Sequence, residues 1–575
     1  MVAAGYSALP QAIKERMHTL PSRLSTNFGG ILGRDDEPVE VEHFQYEQKL
    51  DRTLLSRRSV IGLGFGLMSP VLGMSTTLGI GLVHGGPPTI LGAFALCGLM
   101  SWLTALAIGE VVSKYPIELH GSVALLAPER YRLVAAYYTG CLILLGNWVM
   151  NASIQYAGAQ LIISLIAISG DLVSEENLAI WTVAVYFLSI TVTGVINAKF
   201  ASFLEPINTV CIYWILYAVV FIDVLLILFH KGSFRPFLSA FSNFDNRLSG
   251  YESMLLSFLV GGLQQSNFTL QGFSMLPALS DETQEPEKDI PKGMSQAVLV
   301  STVCGVIYLV PLLLVMPSPE EVMSDSRVME IVLLFTKSTR SNIVSYLQVM
   351  LILGNLLFSG IGSITTSSRA VYSISRDHAI PYYELWSYVS PGSQSQVPKY
   401  AVYLSMGASY LFGILPLISG TAYNSFIGAS VMCLCSASGL AVICVMLNGR
   451  RGVKGAAVKI RCRLGWPVSI VVLLWLLLVM FCMCMPVTLP VTFSSMNYTS
   501  CIFAVFLVGI GALYNLWGRY HFKIPQIYEN IPLTSRGTTV SPLMLDSPSK
   551  AEDTFLTQNS LTTVVGEGSA GPSHC

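Results

Sequence analysis

Between Gly262 and Pro291 the chain gathers groups that hydrocarbon cannot satisfy: Gln264, Gln265, Asn267, Thr269, Gln271 and Gly272, followed by Pro277. They directly continue an apolar run, SMLLSFLVG, so they fall at membrane depth. An unsatisfied polar group in lipid costs several kcal/mol, so irregular backbone survives there only inside protein or beside a water-filled cavity. Two arrangements meet that condition. A half-helix ending at midplane offers free N–H and C=O groups to a small solute. A kinked structural helix instead spends its amides on neighbouring helices.

A second interrupted run lies near the N-terminus, where Gly62, Gly64, Gly66, Ser69, Pro70 and Gly73 disturb an apolar segment. Pro70 removes a backbone donor, and glycines let backbone or ligand approach closely. The two interruptions fall in the first and sixth apolar segments, corresponding places in two five-helix halves. That placement points to an inverted-repeat transporter with its solute at the repeat interface. Non-helical backbone is expected near Ser69–Gly73 and Phe268–Phe273, and a β-branched residue at Gly272 is expected to block the site sterically.

Other polar residues at membrane depth are Asn147, Asn151, Gln155 and Gln160 in the third segment and Asn355 in the eighth. Asn147 and Asn151, and likewise Asn151 and Gln155, stand four apart and share a helix face. That stripe suits a cavity wall or a set of interhelical hydrogen bonds equally. Glu110 ends the second segment, where a gate or loop anchor is expected. Asp223 lies late in the fifth and is expected to snorkel to the surface. Phe268, Phe273, Trp148 and Tyr156 could stack on a cation.

The elements that must hold these residues follow from composition. Charged residues are 12% of the 575, hydrophobic residues 52%, and mean hydropathy is +0.59. Soluble domains carry roughly 25% charge, so this is a polytopic membrane protein, and an all-α fold is expected from spans of helical length. The net charge of −1 points to no nucleic acid partner. Twelve spans are expected near 59–83, 88–112, 132–167, 178–197, 205–230, 253–279, 295–316, 343–372, 399–418, 421–447, 466–487 and 498–518. Residues 1–56 read as a cytoplasmic tail without a signal peptide, 57–520 as the twelve-helix membrane domain, and 521–575 as a disordered cytoplasmic tail. Lys and Arg concentrate in the loops that this orientation places inside. The MFCMCM run from Met480 to Met485 has soft ligands, but adjacent positions face different ways, and no metal site is expected.

Several motifs resemble a known family. They are SVIGLGFGLMSPVLGMSTTL followed by GGPP, GEVVSKYP closing the second span, and DETQEPEKDIPKGM after the sixth. SSRAVYSISRDHAIP with VPKYAV, and PVTLPVTFSSMNY before the twelfth span, complete the set. From about Ser59 to Tyr520 the chain resembles fungal-type amino acid, choline and GABA permeases of the amino acid–polyamine–organocation superfamily. The resemblance implies ten helices in two inverted five-helix repeats plus two C-terminal helices. It places substrate on Ser69, Pro70, Gly73, Phe268, Thr269, Gln271, Gly272, Phe273 and Ser274, with Asn151 as a further candidate. It makes Arg369 and Arg376, with Glu110, gate or anchoring elements. Two departures stand out: YPIELHGS at Tyr115–Ser122 replaces YP-x-AGG, and Ser274 stands where related permeases often carry Asp. The missing acid favours neutral or zwitterionic substrates over a permanent cation.

The function expected is secondary active import of a small nitrogenous solute, with a proton as coupling ion and no cofactor. The plasma membrane is the expected location, with a vacuolar or other internal membrane as alternative. Trafficking or ubiquitination machinery is the partner expected at the tails. A non-transporting nutrient sensor on the same fold is the competing reading. An enzyme is not expected, because no HExxH, paired mid-span Asp or Ser/Lys arrangement is present. A channel lacks its filter loop or charged ring.

Overall fold

The computed structural model describes Leu50 and residues 55–169, 177–232, 234–236, 242–325, 327–389, 397–417, 422–460, 462–492 and 496–524. Both expected tails, apart from these margins, lie outside the described residues. The described residues belong to one compact unit, Met1–Ile527; the second unit is Tyr528–Cys575. The described fold is helical, and its pairings outside helices are single bridges, Leu55 with Thr283 and Gly85 with Asp245.

Span 1 is split into Arg57–Leu67, Pro70–Thr76 and Leu78–Val83. Spans 2 to 5 are Pro87–Lys114, Arg132–Ser169, Leu178–Lys199 and Leu204–Phe229. Span 6 is α-helical over Met254–Leu270 and continues as a 3₁₀ helix over Gln271–Glu282. Spans 7 to 12 are Pro286–Leu314, Asn342–Arg376, Lys399–Ile414, Ala422–Leu447, Cys462–Cys484 and Thr499–Leu513. Ten stretches qualify as membrane spans by length and apolarity alone. Spans 6 and 9 are not among the ten; their α-helical parts are 17 and 16 residues long, and that of span 6 carries Gln264, Gln265 and Asn267. The described residues thus hold twelve spanning segments, with the interrupted ones first and sixth, as the expected 5+5 arrangement plus two C-terminal helices requires.

Burial identifies the centre of the bundle. The apolar window of span 1 is 89% buried and that of span 12 only 11%, so span 1 is the axis and span 12 a peripheral addition. Span 5 shows how an all-apolar helix is used. Cys211, Ile215, Ala218, Val219, Ile222 and Leu226 face protein, while Val210, Tyr213, Val220 and Leu228 are left to lipid. Asp223 does not snorkel. It is 7% exposed on the protein-facing side, because its neighbours Val219, Ile222 and Leu226 turn that face inward.

Candidate solute-binding site

The break in span 1 is set by Pro70. In a continuous helix the residue-70 N–H would bond the carbonyl of Gly66, and proline has none. Met68 (φ −96°, ψ 23°) and Ser69 (φ −49°, ψ 107°) leave the helix there. Two other donors reach the Gly66 carbonyl: the Ser69 N–H at 3.3 Å and, from span 8, the Ser359 hydroxyl at 2.7 Å. Proline is well tolerated at the first position of a helix, so the chain is α-helical again from Pro70. The irregular backbone is therefore Met68–Ser69, with a second interruption at Thr77, and does not run through Gly73.

Span 6 departs from expectation differently. Phe268, Thr269 and Leu270 remain α-helical, and the change comes at Gln271 as a switch of helix type. Runs of 3₁₀ helix beyond three or four residues are uncommon, so a 12-residue run containing Pro277 marks a specialised segment. The tighter winding satisfies backbone groups locally, which lipid depth requires.

The two breaks face each other. A Cβ on Gly73 would lie 2.5 Å from Thr269 Oγ1, and a Cβ on Gly272 would lie 2.9 Å from Leu67 Cβ and 3.1 Å from the Leu67 carbonyl carbon. Glycine is needed at both positions for span 1 to touch span 6. Between them is a cavity of about 20 Å³ lined by Ser69, Gly73, Thr76, Phe268 and Thr269, with Met150 and Ile154 from span 3. That volume holds about one water, so the breaks are closed on each other. Pro70, Gln271, Gly272, Phe273 and Ser274 are buried but not on its wall. Gln271 Nε2 donates to Ser274 Oγ at 2.9 Å, turning both toward each other.

Asn151 is committed to neighbouring spans. Its Nδ2 donates to Ser409 Oγ at 2.7 Å, and its Oδ1 accepts from Ser363 Oγ at 2.5 Å, joining spans 3, 8 and 9. Gln155 Nε2 donates to Thr193 Oγ1 at 3.0 Å. Of the two uses open to this stripe, interhelical bonding describes Asn151 and Gln155. Asn147 differs, since both its amide atoms are buried without a hydrogen-bond partner among the described residues.

A larger vestibule of about 520 Å³ opens on one side. Thr76 lines both it and the small cavity, so it lies directly over the closed breaks. Its wall includes Thr77, Gly79, Tyr156, Gln160, Thr182, Arg327 and Glu330. The opposite end is shut by ion pairs. Arg369 Nε meets both Glu282 oxygens at 3.1 Å, with each side chain 1% exposed. Arg376 reaches Glu118 at 3.0 Å, Asp377 at 3.3 Å, and Asp281. His120 Nε2 lies 2.9 Å from Asp377 Oδ2, and Glu110 pairs with Arg450. Motifs in the sequence single out Arg369, Arg376 and Glu110 but not the side chains they pair with. The DE pair of DETQEPEKDIP was the signal for Asp281 and Glu282.

Twelve membrane helices wound around two interrupted spans, with a vestibule over the interruption, make a solute transporter. Residues 60–527 match the amino acid permease family, and the chain belongs to that family. It is 54% identical over 524 residues to the polyamine transporter TPO5 of Saccharomyces cerevisiae, covering 90% of this chain and 85% of that protein. It is 26% identical over 504 residues to the amino-acid permease BAT1 of Arabidopsis thaliana, covering 85% and 96%. It is 25% identical over 477 residues to the choline transporter of S. cerevisiae, covering 82% of each. The chain is a secondary transporter of small nitrogenous solutes and not an enzyme. These relatives lend the sensor reading no support.

Proposed function

We propose that this transporter imports polyamines across the plasma membrane together with protons, with the ion-paired end facing the cytoplasm. The observation that carries the substrate is the 54% identity to a polyamine transporter along nine-tenths of the chain. Ser274 argued for neutral substrates on the ground that the site lacks an acid. That ground is weak, because Ser274 is bonded to Gln271 and off the cavity wall. The orientation rests on the Lys and Arg of the short loops. Proton coupling draws support from the closed end, where among the described ion pairs the one guanidinium of Arg376 meets three acids, Glu118, Asp281 and Asp377, a crowding of carboxylates that a proton would relieve. Trafficking or ubiquitination factors acting on the tails complete the proposal.

The test is uptake of radiolabelled spermidine into proteoliposomes with and without an inward proton gradient, with putrescine, choline, GABA and neutral amino acids as competitors. Gradient-driven accumulation, inhibited best by putrescine, is expected. Accumulation inhibited better by an amino acid than by any polyamine would replace the substrate.

A further inference from the structure

The segment between spans 7 and 8 carries a ten-residue helix, Glu330–Thr339, and its first residue points a carboxylate into the vestibule. Glu330 meets only its own backbone N–H; among the described residues no cation pairs with it. The one basic side chain on the described vestibule wall, Arg327, forks onto Asp325, with Nε to Oδ1 at 3.1 Å and Nη2 to Oδ2 at 3.0 Å. That guanidinium is engaged with its own acid, so among the described residues on the wall the ionised form of Glu330 has no basic side chain assigned to it. Tyr156, from span 3, is the remaining titratable group on its wall.

The position is built. A Cβ on Gly79 would sit 2.5 Å from Glu330 Oε1 and 2.8 Å from its Cδ, so only glycine leaves the carboxylate its place against span 1. The Met329 N–H donates to Ser164 Oγ of span 3 at 3.0 Å, pinning the residue before it. Burial raises the Glu330 pKa above the usual carboxylate range, which is the mark of an acid held without its counter-ion. A partly desolvated carboxylate sharing one chamber with an aromatic ring and hydroxyl and amide groups has the chemistry of an ammonium site.

We infer that the vestibule is an outer ammonium site. Glu330 receives one protonated amine of a polyamine above the closed breaks, with the Tyr156 ring, Thr76, Thr77 and Gln160 around the chain. The site rests on the polyamine reading and adds to it a place where the cation waits before the breaks open. It also gives a reason for discrimination, since a zwitterion would bring its own carboxylate against Glu330 and lose what the ammonium gains.

The test uses the full chain in proteoliposomes, with spermidine as probe. Glu330→Gln is expected to raise the spermidine KM about fivefold, acting on KM more than on Vmax, as loss of a charge partner does. Glu330→Asp should recover part of that loss. The wild-type KM should rise with ionic strength, and the Gln variant should respond less. Gly79→Ala, which displaces the carboxylate without removing it, should shift KM in the same direction and keeps the test open if Glu330→Gln fails to fold. Wild-type spermidine uptake with a Glu330→Gln KM within twofold of it overturns the outer site and leaves the polyamine reading standing. A wild type that accumulates no spermidine overturns both.

Discussion

The two ends of the bundle treat their acids in opposite ways. At the closed end Glu110, Glu118, Asp281, Glu282 and Asp377 all meet a guanidinium or the His120 imidazole. In the vestibule half, Asp223 is buried with one carboxylate oxygen unpartnered among the described residues, and Glu330 has only its own backbone N–H. The first end satisfies its charges internally and is shut by doing so. The second leaves cationic positions unfilled, and its chamber is open. On the polyamine reading proposed above, the cation missing beside Glu330 is the one the solute brings, and the charges at the closed end separate before it leaves.

The sharpest way to break this contrast is at Arg369 and Glu282. Removing one partner of a buried pair strands the other charge and costs about 3–5 kcal/mol. Arg369 is also exacting, because its Nη2 already lacks a partner among the described residues. Glu282→Gln should therefore lower the melting temperature of the purified protein and abolish uptake. Replacing both, as Arg369→Met with Glu282→Leu, should recover most of the stability, since apolar pairs of similar volume replace buried ion pairs at little cost. Uptake should stay low, because the end no longer opens and closes through charge. If transport returned with the melting temperature, the pair would be a packing element, and the contrast between the ends would lose its functional meaning.

A smaller effect is expected where the ends meet. Gly272 is off the cavity wall, and its missing side chain makes room for Leu67 and Met68. Gly272→Val pushes the two breaks apart, and uptake should fall at least tenfold, about 1.4 kcal/mol when read as kcat/KM. The substitution presses on backbone, so stability should fall with it. A purely steric block of the solute would leave the melting temperature alone. Comparing uptake and melting in a variant confirmed at the membrane separates the two.

What could be read from the sequence depended on whether the signal was local. Pro70 breaks span 1 because of an N–H it lacks, and that is visible in one residue. Apolar runs place the spans for the same reason. The switch in span 6 from α to 3₁₀ at Gln271 was not visible, because both helices accept the same residues and the choice lies in how Gly272 fits against Leu67. Asn151 and Gln155 announced a polar face, but whether it met solute or Ser409, Ser363 and Thr193 depended on spans far away in the chain. Asp223 and Glu330 carry no motif. Only the packing that buries the first and the glycine that seats the second distinguish them from ordinary acids.

The mildest probe of the comparison is pH, because it titrates the open end without mutation. Burial holds the Glu330 pKa above the usual carboxylate range. The acid is charged above that raised pKa and neutral below it. Its attraction for an ammonium is thus present above the raised value and is lost as pH falls through it, sooner than an exposed glutamate would allow. Polyamine amines stay protonated throughout, so the change belongs to the protein. The spermidine KM should rise a few-fold on acidification of the vestibule side, about what one weakened surface-proximal charge contact is worth. Equilibrium binding of spermidine to the purified protein, measured with no gradient present, should show the same pH dependence, which separates the effect on binding from any effect of a proton gradient on transport. In Glu330→Gln that dependence should flatten. A Gln variant retaining the full wild-type pH response would place the titrating group elsewhere, with Asp223 the next acid to replace.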